Sequence, residues 1–154
     1  MFKTKFITTY SFAKLNRSVP KIIRESVDGL GKVGENILKQ RIDSKLQPPL
    51  TEYTKLQRRK GIGWNKKKVP STSDDTPLKQ TGSLYNSLTY IKKHQSIRMN
   101  AYGKEHNDGF ENLSGIKVRP RPFMGLEDDN TFKTTGLAVA TKSIKRKLQK
   151  AFKK

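Results

Sequence analysis

The segment Gly29-Leu30-Gly31-Lys32-Val33-Gly34 spells the glycine pattern with which dinucleotide-binding folds cradle a pyrophosphate. That chemistry needs a strand running into the first glycine and a helix beginning there, so that backbone N–H groups point at the phosphates. Here the preceding Lys21–Asp28 stretch already has helical period, so the glycines read instead as small residues that let a neighbouring element pack closely. No G-x-x-x-x-G-K-[ST] loop is present, and no serine, Ser83 included, occupies a G-x-S-x-G elbow. His106, with Glu105 and Asp108 beside it, has the residue types of an acid–base pair or a ligand set, yet it shares no metal-ligand spacing with His94. These side chains are expected to be hydrogen-bonded turn residues. The pairs Asp74-Asp75 and Asp128-Asp129 have the chemistry of Mg²⁺ ligands, but adjacent side chains diverge and nothing completes a two-metal site. Turn and helix-start roles are expected for them. No catalytic, cofactor-binding or metal-binding residue is assigned, and neither an enzyme nor a cofactor is expected.

What remains is cationic chemistry. The chain has 33 Lys+Arg against 13 Asp+Glu, a formal net charge of +20, in 154 residues. Arg58-Arg59-Lys60, Lys66-Lys67-Lys68 and the stretch Lys142 to Lys154 concentrate it, with Tyr53, Trp64 and Tyr102 as stacking groups. Such clusters neutralise phosphates by releasing counterions, or form ion pairs with acidic proteins. No RNP, KH or zinc-finger pattern accompanies them, so any nucleic-acid contact is expected to be non-specific and to the backbone. Hydrophobic residues are 32 % of the chain and cysteine is absent, which excludes disulfide scaffolds and thiolate metal sites. The core is expected to be thin and to lean on neighbouring subunits. No apolar run is long enough for a membrane span or a secretory signal, so a soluble protein made in a cytoplasm, with no membrane partner, is expected.

The elements that must position these groups follow from periodicity. Met1–Tyr10 alternates as a strand; Ser18 reads as an N-cap with Pro20 in the first turn. Ile23, Val27, Leu30, Val33, Ile37 and Leu38 then mark an amphipathic helix of about 20–25 residues to about Ser44, its cations Lys21, Arg24, Lys32, Lys39 and Arg41 on a solvated face. Thr51 caps a short helix through Tyr53 and Leu56, ended by Gly61 and Gly63. Residues 57–77 compose a long, exposed, flexible basic loop, expected to be mobile in the free subunit and to order on assembly. Thr81 caps a helix over 82–88 with Leu84 and Leu88 inward, and two strands flank a turn near His94–Ser96. Residues 103–115 read as a loop and 116–123 as an edge strand that tolerates its prolines. A terminal helix starts near Asn130, after the Glu127-Asp128-Asp129 carboxylates, with Leu137, Ile144, Leu148 and Phe152 on one stripe and a basic end over 142–154. The expectation is a single α+β domain over 1–154: a long N-terminal helix and shorter helices packed on a small antiparallel or mixed sheet.

Three patterns stand in order along the chain: Pro77-Leu78-Lys79-Gln80-Thr81-Gly82-Ser83-Leu84-Tyr85-Asn86-Ser87-Leu88, then Tyr102-Gly103-Lys104-Glu105-His106-Asn107-Asp108-Gly109, then Arg119-Pro120-Arg121-Pro122-Phe123-Met124-Gly125-Leu126. This order resembles that of the tailed-phage virion-morphogenesis proteins of the neck and tail-completion type. The resemblance spans roughly 22–148, most of the chain. It implies a structural protein of the virion neck, assembled in the host cytoplasm, that joins the head connector to the tail as a ring of six or twelve copies. Partners would be further copies of the chain, connector or head-closure proteins, tail-terminator or tail-tube proteins, and packaged DNA through its backbone. The matching positions are Pro77, Thr81, Gly82, Leu84, Ser87, His106, Gly109, Arg121, Pro122 and Phe123, with Gly82 allowing close approach, His106 and Gly109 forming a pinned turn, and Arg121 offering a cation to a neighbour. Arg58, Arg59, Lys60, Trp64, Lys66, Lys67 and Lys68 are the candidate contacts to a partner or to DNA. The long basic loop and the high charge depart from the family pattern and point to a specialised partner surface. The alternative is a non-specific basic nucleic-acid-binding module.

Overall fold

The computed structural model of the protein describes residues 12–44, 46–63, 66–112, 115–126 and 129–152, so the strand expected at Met1–Tyr10 lies outside the described residues. The architecture is α+β, as the periodicity indicates. Among the described residues, five helices, α1 (Phe12–Asp43), α2 (Glu52–Arg59), α3 (Ser83–Ser87), α4 (Tyr102–Asp108) and α5 (Asn130–Phe152), accompany two antiparallel strand pairs, β1 (Thr89–Ile91) with β2 (Ser96–Arg98) and β3 (Phe110–Glu111) with β4 (Lys117–Val118). In register, Tyr90 faces Ile97 in the first hairpin and Phe110 faces Val118 in the second.

Helix α1 is the spine. It runs through Ser18 and Pro20 rather than starting there. Its inward stripe includes Ile37 and Leu38 as expected, with Val27, Leu30 and Val33 half-buried, but at its start Ile22 turns inward and Ile23 is 54 % exposed. Leu38 and Ile42 join Leu46, Leu84, Leu88 and Phe123 in the core, with Leu78, Tyr85, Ile97, Met99, Tyr102, Met124 and Leu126 around it.

The fingerprint glycines do what small residues do. A Cβ at Gly31 would stand 2.0 Å from the Tyr90 ring, and one at Gly34 would stand 2.9 Å from Leu126. Asp28, Gly31 and Glu35 recur at three- and four-residue steps and so share a helix face. Together they make a socket for Tyr90: its hydroxyl donates to Asp28 at 3.0 Å and its backbone N–H donates to Glu35 at 2.8 Å. Glu35 is buried and also accepts from Lys32 (2.6 Å) and Lys39 (2.9 Å). Two of the cations expected to be solvated therefore neutralise a buried carboxylate. Burial pushes the Glu35 carboxyl up, but the hydrogen bonds from Lys32, Lys39 and the Tyr90 N–H outweigh it and leave the pKa lowered to about 2.

Helix α5 lies against α1 through Gly136, whose Cβ position is 2.9 Å from Leu30, and through Val139 over Gly29. The expected stripe of Leu137 and Ile144 instead faces outward, Leu137 being 69 % exposed. Close backbone approach at a glycine, not the largest side chains, decides which face docks. The start of α5 is as expected: Asp129 accepts from the Phe132 N–H at 2.8 Å and so caps it. At the other end Lys147 pairs with Glu25 of α1.

Glu35→Gln is expected to lower stability by about 1–3 kcal/mol near neutral pH. Because the folded carboxyl is the stronger acid, its contribution is present above the ordinary value of 4.5 and is lost as pH falls towards about 2. Urea titrations at stepped pH should show that loss in the parent and a flatter profile in the variant. The same method separates the glycines: Gly31→Ala should cost about 1–3 kcal/mol by overpacking against Tyr90. Gly29→Ala, whose new atom meets Val139 at an ordinary 3.4 Å, should gain up to about 1 kcal/mol from helix propensity.

Candidate interaction surface

The three ordered patterns converge on one hydrogen-bonded unit. In the first, Pro77, Leu84 and Leu88 are buried. Gly82, not Thr81, is the N-cap of α3, with a left-handed backbone (φ 68°) and no side-chain cap bond. Thr81 instead accepts from the Ser83 N–H at 3.3 Å, one position early for a cap. Gly82 is thus needed for its backbone conformation rather than for close approach. Ser87 donates to the Leu84 carbonyl at 2.7 Å and accepts from the Asn100 N–H at 3.0 Å, which ties α3 to the chain after β2.

The second pattern is helix α4, not the expected loop, and Gly109 ends it at φ 80°. The positive φ expected at Gly109 is present; a Cβ there would meet Pro120 and the Val118 carbonyl, each at 3.0 Å. The His106 ring stands edge-on to Tyr102 (centroids 6.0 Å apart) and Phe110 (5.2 Å), a packing role rather than a turn pin. Its Nδ1 is buried without a hydrogen bond among the described residues. Burial first, then the Arg121 charge, holds the imidazole below its ordinary pKa against the opposing pull of Glu105.

The third pattern is clamped from two sides. The Asn107 side-chain oxygen accepts from the N–H groups of Phe123 (3.0 Å) and Met124 (2.9 Å), and the His106 carbonyl accepts from the Arg121 N–H at 2.9 Å. From α1, Arg41 donates to the carbonyls of Phe123 (2.9 Å) and Met124 (2.6 Å) and pairs with Asp129. The Asp129 carboxyl is held below its usual range by the Phe132 N–H first and by Arg41 next. Phe123 is fully buried, as its anchoring role requires, while Pro122 is exposed. The Arg121 guanidinium, expected to face a neighbour, is half-buried and donates to the Pro48 carbonyl of its own chain at 3.0 Å. Only β4 of the expected edge strand, Lys117–Val118, pairs with β3.

The basic segment 57–77 is anchored at both ends. Thr51 caps α2 as expected, accepting from the Thr54 N–H at 3.2 Å, and Gly61 follows that helix at φ 67°. Arg58 is buried and donates to the carbonyls of Asp74 (3.1 Å) and Thr76 (2.8 Å), so this cation is not available to a partner or DNA. Burial lowers its pKa, opposed by Asp74 and Asp75. Asp74 accepts from the Thr76 N–H at 2.8 Å in a tight turn, and Asp75 faces Lys55 at 3.8 Å. Backbone bonds from Gly63 to Lys67 and from Val69 to Gly61 fold the segment back on itself. Arg59, Lys60, Lys66, Lys67 and Lys68 are exposed at its tip, beside α2, where Tyr53 is 71 % exposed. Trp64 lies outside the described residues, as do Glu127 and Asp128.

Among the described residues, no three His, Asp or Glu side chains gather as a metal site, and no helix is long and apolar enough to cross a membrane. Asn107 and Arg41, the residues that hold the unit together, were not singled out in the sequence. Asn107 lay inside the second pattern but is polar and unremarkable by type; Arg41 reads as one more surface cation. Glu35, flanked by Lys32 and Lys39 at helical spacing, had a legible signal. Comparison of the chain with known protein families, with curated proteins and with solved structures finds no match.

Asn107→Ala removes the acceptor of two buried-side N–H groups and should cost about 1–3 kcal/mol. Amide hydrogen exchange should show protection lost at Phe123 and Met124 first, with α1 protected as before.

Proposed function

We propose that this chain is a structural protein of a tailed-phage virion, a ring-forming neck or tail-completion component that joins the head connector to the tail, without a catalytic centre of its own. One observation carries the reading: the three patterns on which the resemblance rests, at 77–88, 102–109 and 119–126, are separate in sequence yet pack as one unit. Asn107 and the His106 carbonyl of the second hold Arg121, Phe123 and Met124 of the third. Phe123 in turn shares a core with Leu84 and Leu88 of the first. Side chains committed to packing and backbone capture suit a scaffold that presents surfaces to neighbours.

The exposed apolar residues support the same reading. Leu137, Ile144, Ile116 and Tyr53 are large and solvent-facing in the single chain, and ring neighbours would cover such positions. The cationic tip of 57–77 would then dock on acidic subunits or touch packaged DNA. The second reading, a basic nucleic-acid-binding module, is favoured by the exposed cations Arg59, Lys60 and Lys66–Lys68, with Tyr53 of α2 also exposed.

Native mass measurement and negative-stain imaging distinguish the two. The first reading expects rings at a multiple of the 17.6 kDa protomer. A monomer that binds duplex DNA with a steep salt dependence, weakened by Lys66→Glu with Lys67→Glu, would replace it with the second.

A further inference from the structure

A shallow groove of about 640 Å³ lies between the N-terminal half of α1 and the β1–β2 turn, lined by Pro20, Ile23, Arg24, Val27, Lys92, Lys93 and Gln95. We infer that this groove is a docking site for an acidic segment of a partner protein that inserts an apolar side chain. Its floor is apolar, with Pro20 and Val27 beside Ile23, a large aliphatic residue left 54 % exposed. Its rim is cationic: Arg24, Lys92 and Lys93 are all exposed, and no ion pair engages them among the described residues.

The nearby carboxylates of α1 form no ion pair with that rim among the described residues. Glu25 pairs with Lys147, although the Lys92 charge also reaches it, and Asp28 accepts from the Tyr90 hydroxyl. Tyr90 seated over Gly31 fixes β1 against α1, so the turn that carries Lys92 and Lys93 is held at a set place above the floor. A site that combines three cations with an aliphatic floor selects for negative charge and greasy contact at once. A nucleic-acid backbone would satisfy the rim and leave the floor unused. A second copy of a chain of net charge +20 would meet like charge. None of the lining residues belongs to the three motif segments, so the groove stands or falls apart from the ring reading.

Fluorescence anisotropy on the full chain tests this with a labelled synthetic peptide of alternating glutamate and leucine, a glutamate–serine peptide of equal charge, and a labelled DNA duplex. The glutamate–leucine peptide should bind about tenfold or more tighter than the glutamate–serine one. Lys92→Glu with Lys93→Glu, and separately Ile23→Ser, should each weaken it about tenfold or more. Lys145→Glu with Arg146→Glu on the outer face of α5 should leave it nearly unchanged. All these positions are exposed, and circular dichroism checks that the helices persist. Equal binding of the two peptides, or equal loss from the α5 substitutions, would overturn the inference in favour of charge alone. Duplex binding weakened by both the Lys92/Lys93 and the Ile23 substitutions would assign the groove to nucleic acid instead.

Discussion

The carboxylate of Glu35 is where the charge of this chain and its fold meet. A buried carboxylate is costly unless each oxygen has donors, and here Lys32, Lys39 and the Tyr90 N–H supply them. Two of those donors come from the helix that carries Glu35, so α1 is neutralised locally. The third comes from β1, so the same anion fixes the hairpin to the spine. Gly31 beside it removes the side chain that would keep Tyr90 away. Register along α1, position of the hairpin and the set of the turn above the groove all follow from one face of one helix.

A second constraint is the scarcity of carboxylates. With 13 acids for 33 bases, the chain cannot pair its cations one for one, and it places acids where a cation is structural. Asp129 caps α5 and holds Arg41, which in turn grips the carbonyls of Phe123 and Met124. Glu25 ties α1 to the far end of α5. Backbone carbonyls take the role elsewhere: Arg58, with Asp74 and Asp75 nearby, folds the basic segment onto α2 through the carbonyls of Asp74 and Thr76, and Arg121 reaches that of Pro48. Charge-assisted bonds of this kind are stronger than neutral ones, and they allow a chain with few apolar residues to fix its loops.

Periodicity made the long elements legible. The body of α1 though not its start, the capped α2, the Leu84–Leu88 turn of helix though not its cap, the first hairpin and the start of α5 at Asn130 are where spacing puts them. The glycines read correctly as a packing device. What spacing could not supply was rotation and partnership. Ile22 and Ile23 are chemically alike, and only the docking of α5 and the hairpin decides which turns inward. Leu137 and Ile144 form an apolar stripe, but Gly136 allows a closer approach of backbones and takes the contact with Leu30. Helix α4 was hidden because Gly103 and Asn107 are weak helix formers. Its tertiary bonds to the Arg121–Met124 segment hold it. Arg41 and Arg58 looked like surface charge because their acceptors are carbonyls contributed by distant segments, which no local pattern encodes.

The same division of labour shapes the outer surface. Arg41, Arg58 and Lys147 are engaged where elements or segments meet, whereas exposed cations are spread over the surface, with adjacent ones at Lys66–Lys68, at the Lys92-Lys93 turn and at Lys145-Arg146 on α5. Two of these places have an exposed apolar residue close by: Ile23 in the groove and Ile144 next to Lys145 on α5. A polyanion would neutralise the cations but gain nothing from the apolar neighbours, and an apolar surface would leave the cations unmatched. At the groove this pairing of Ile23 with Arg24, Lys92 and Lys93 is the chemistry on which the proposed docking of an acidic segment with an apolar side chain rests.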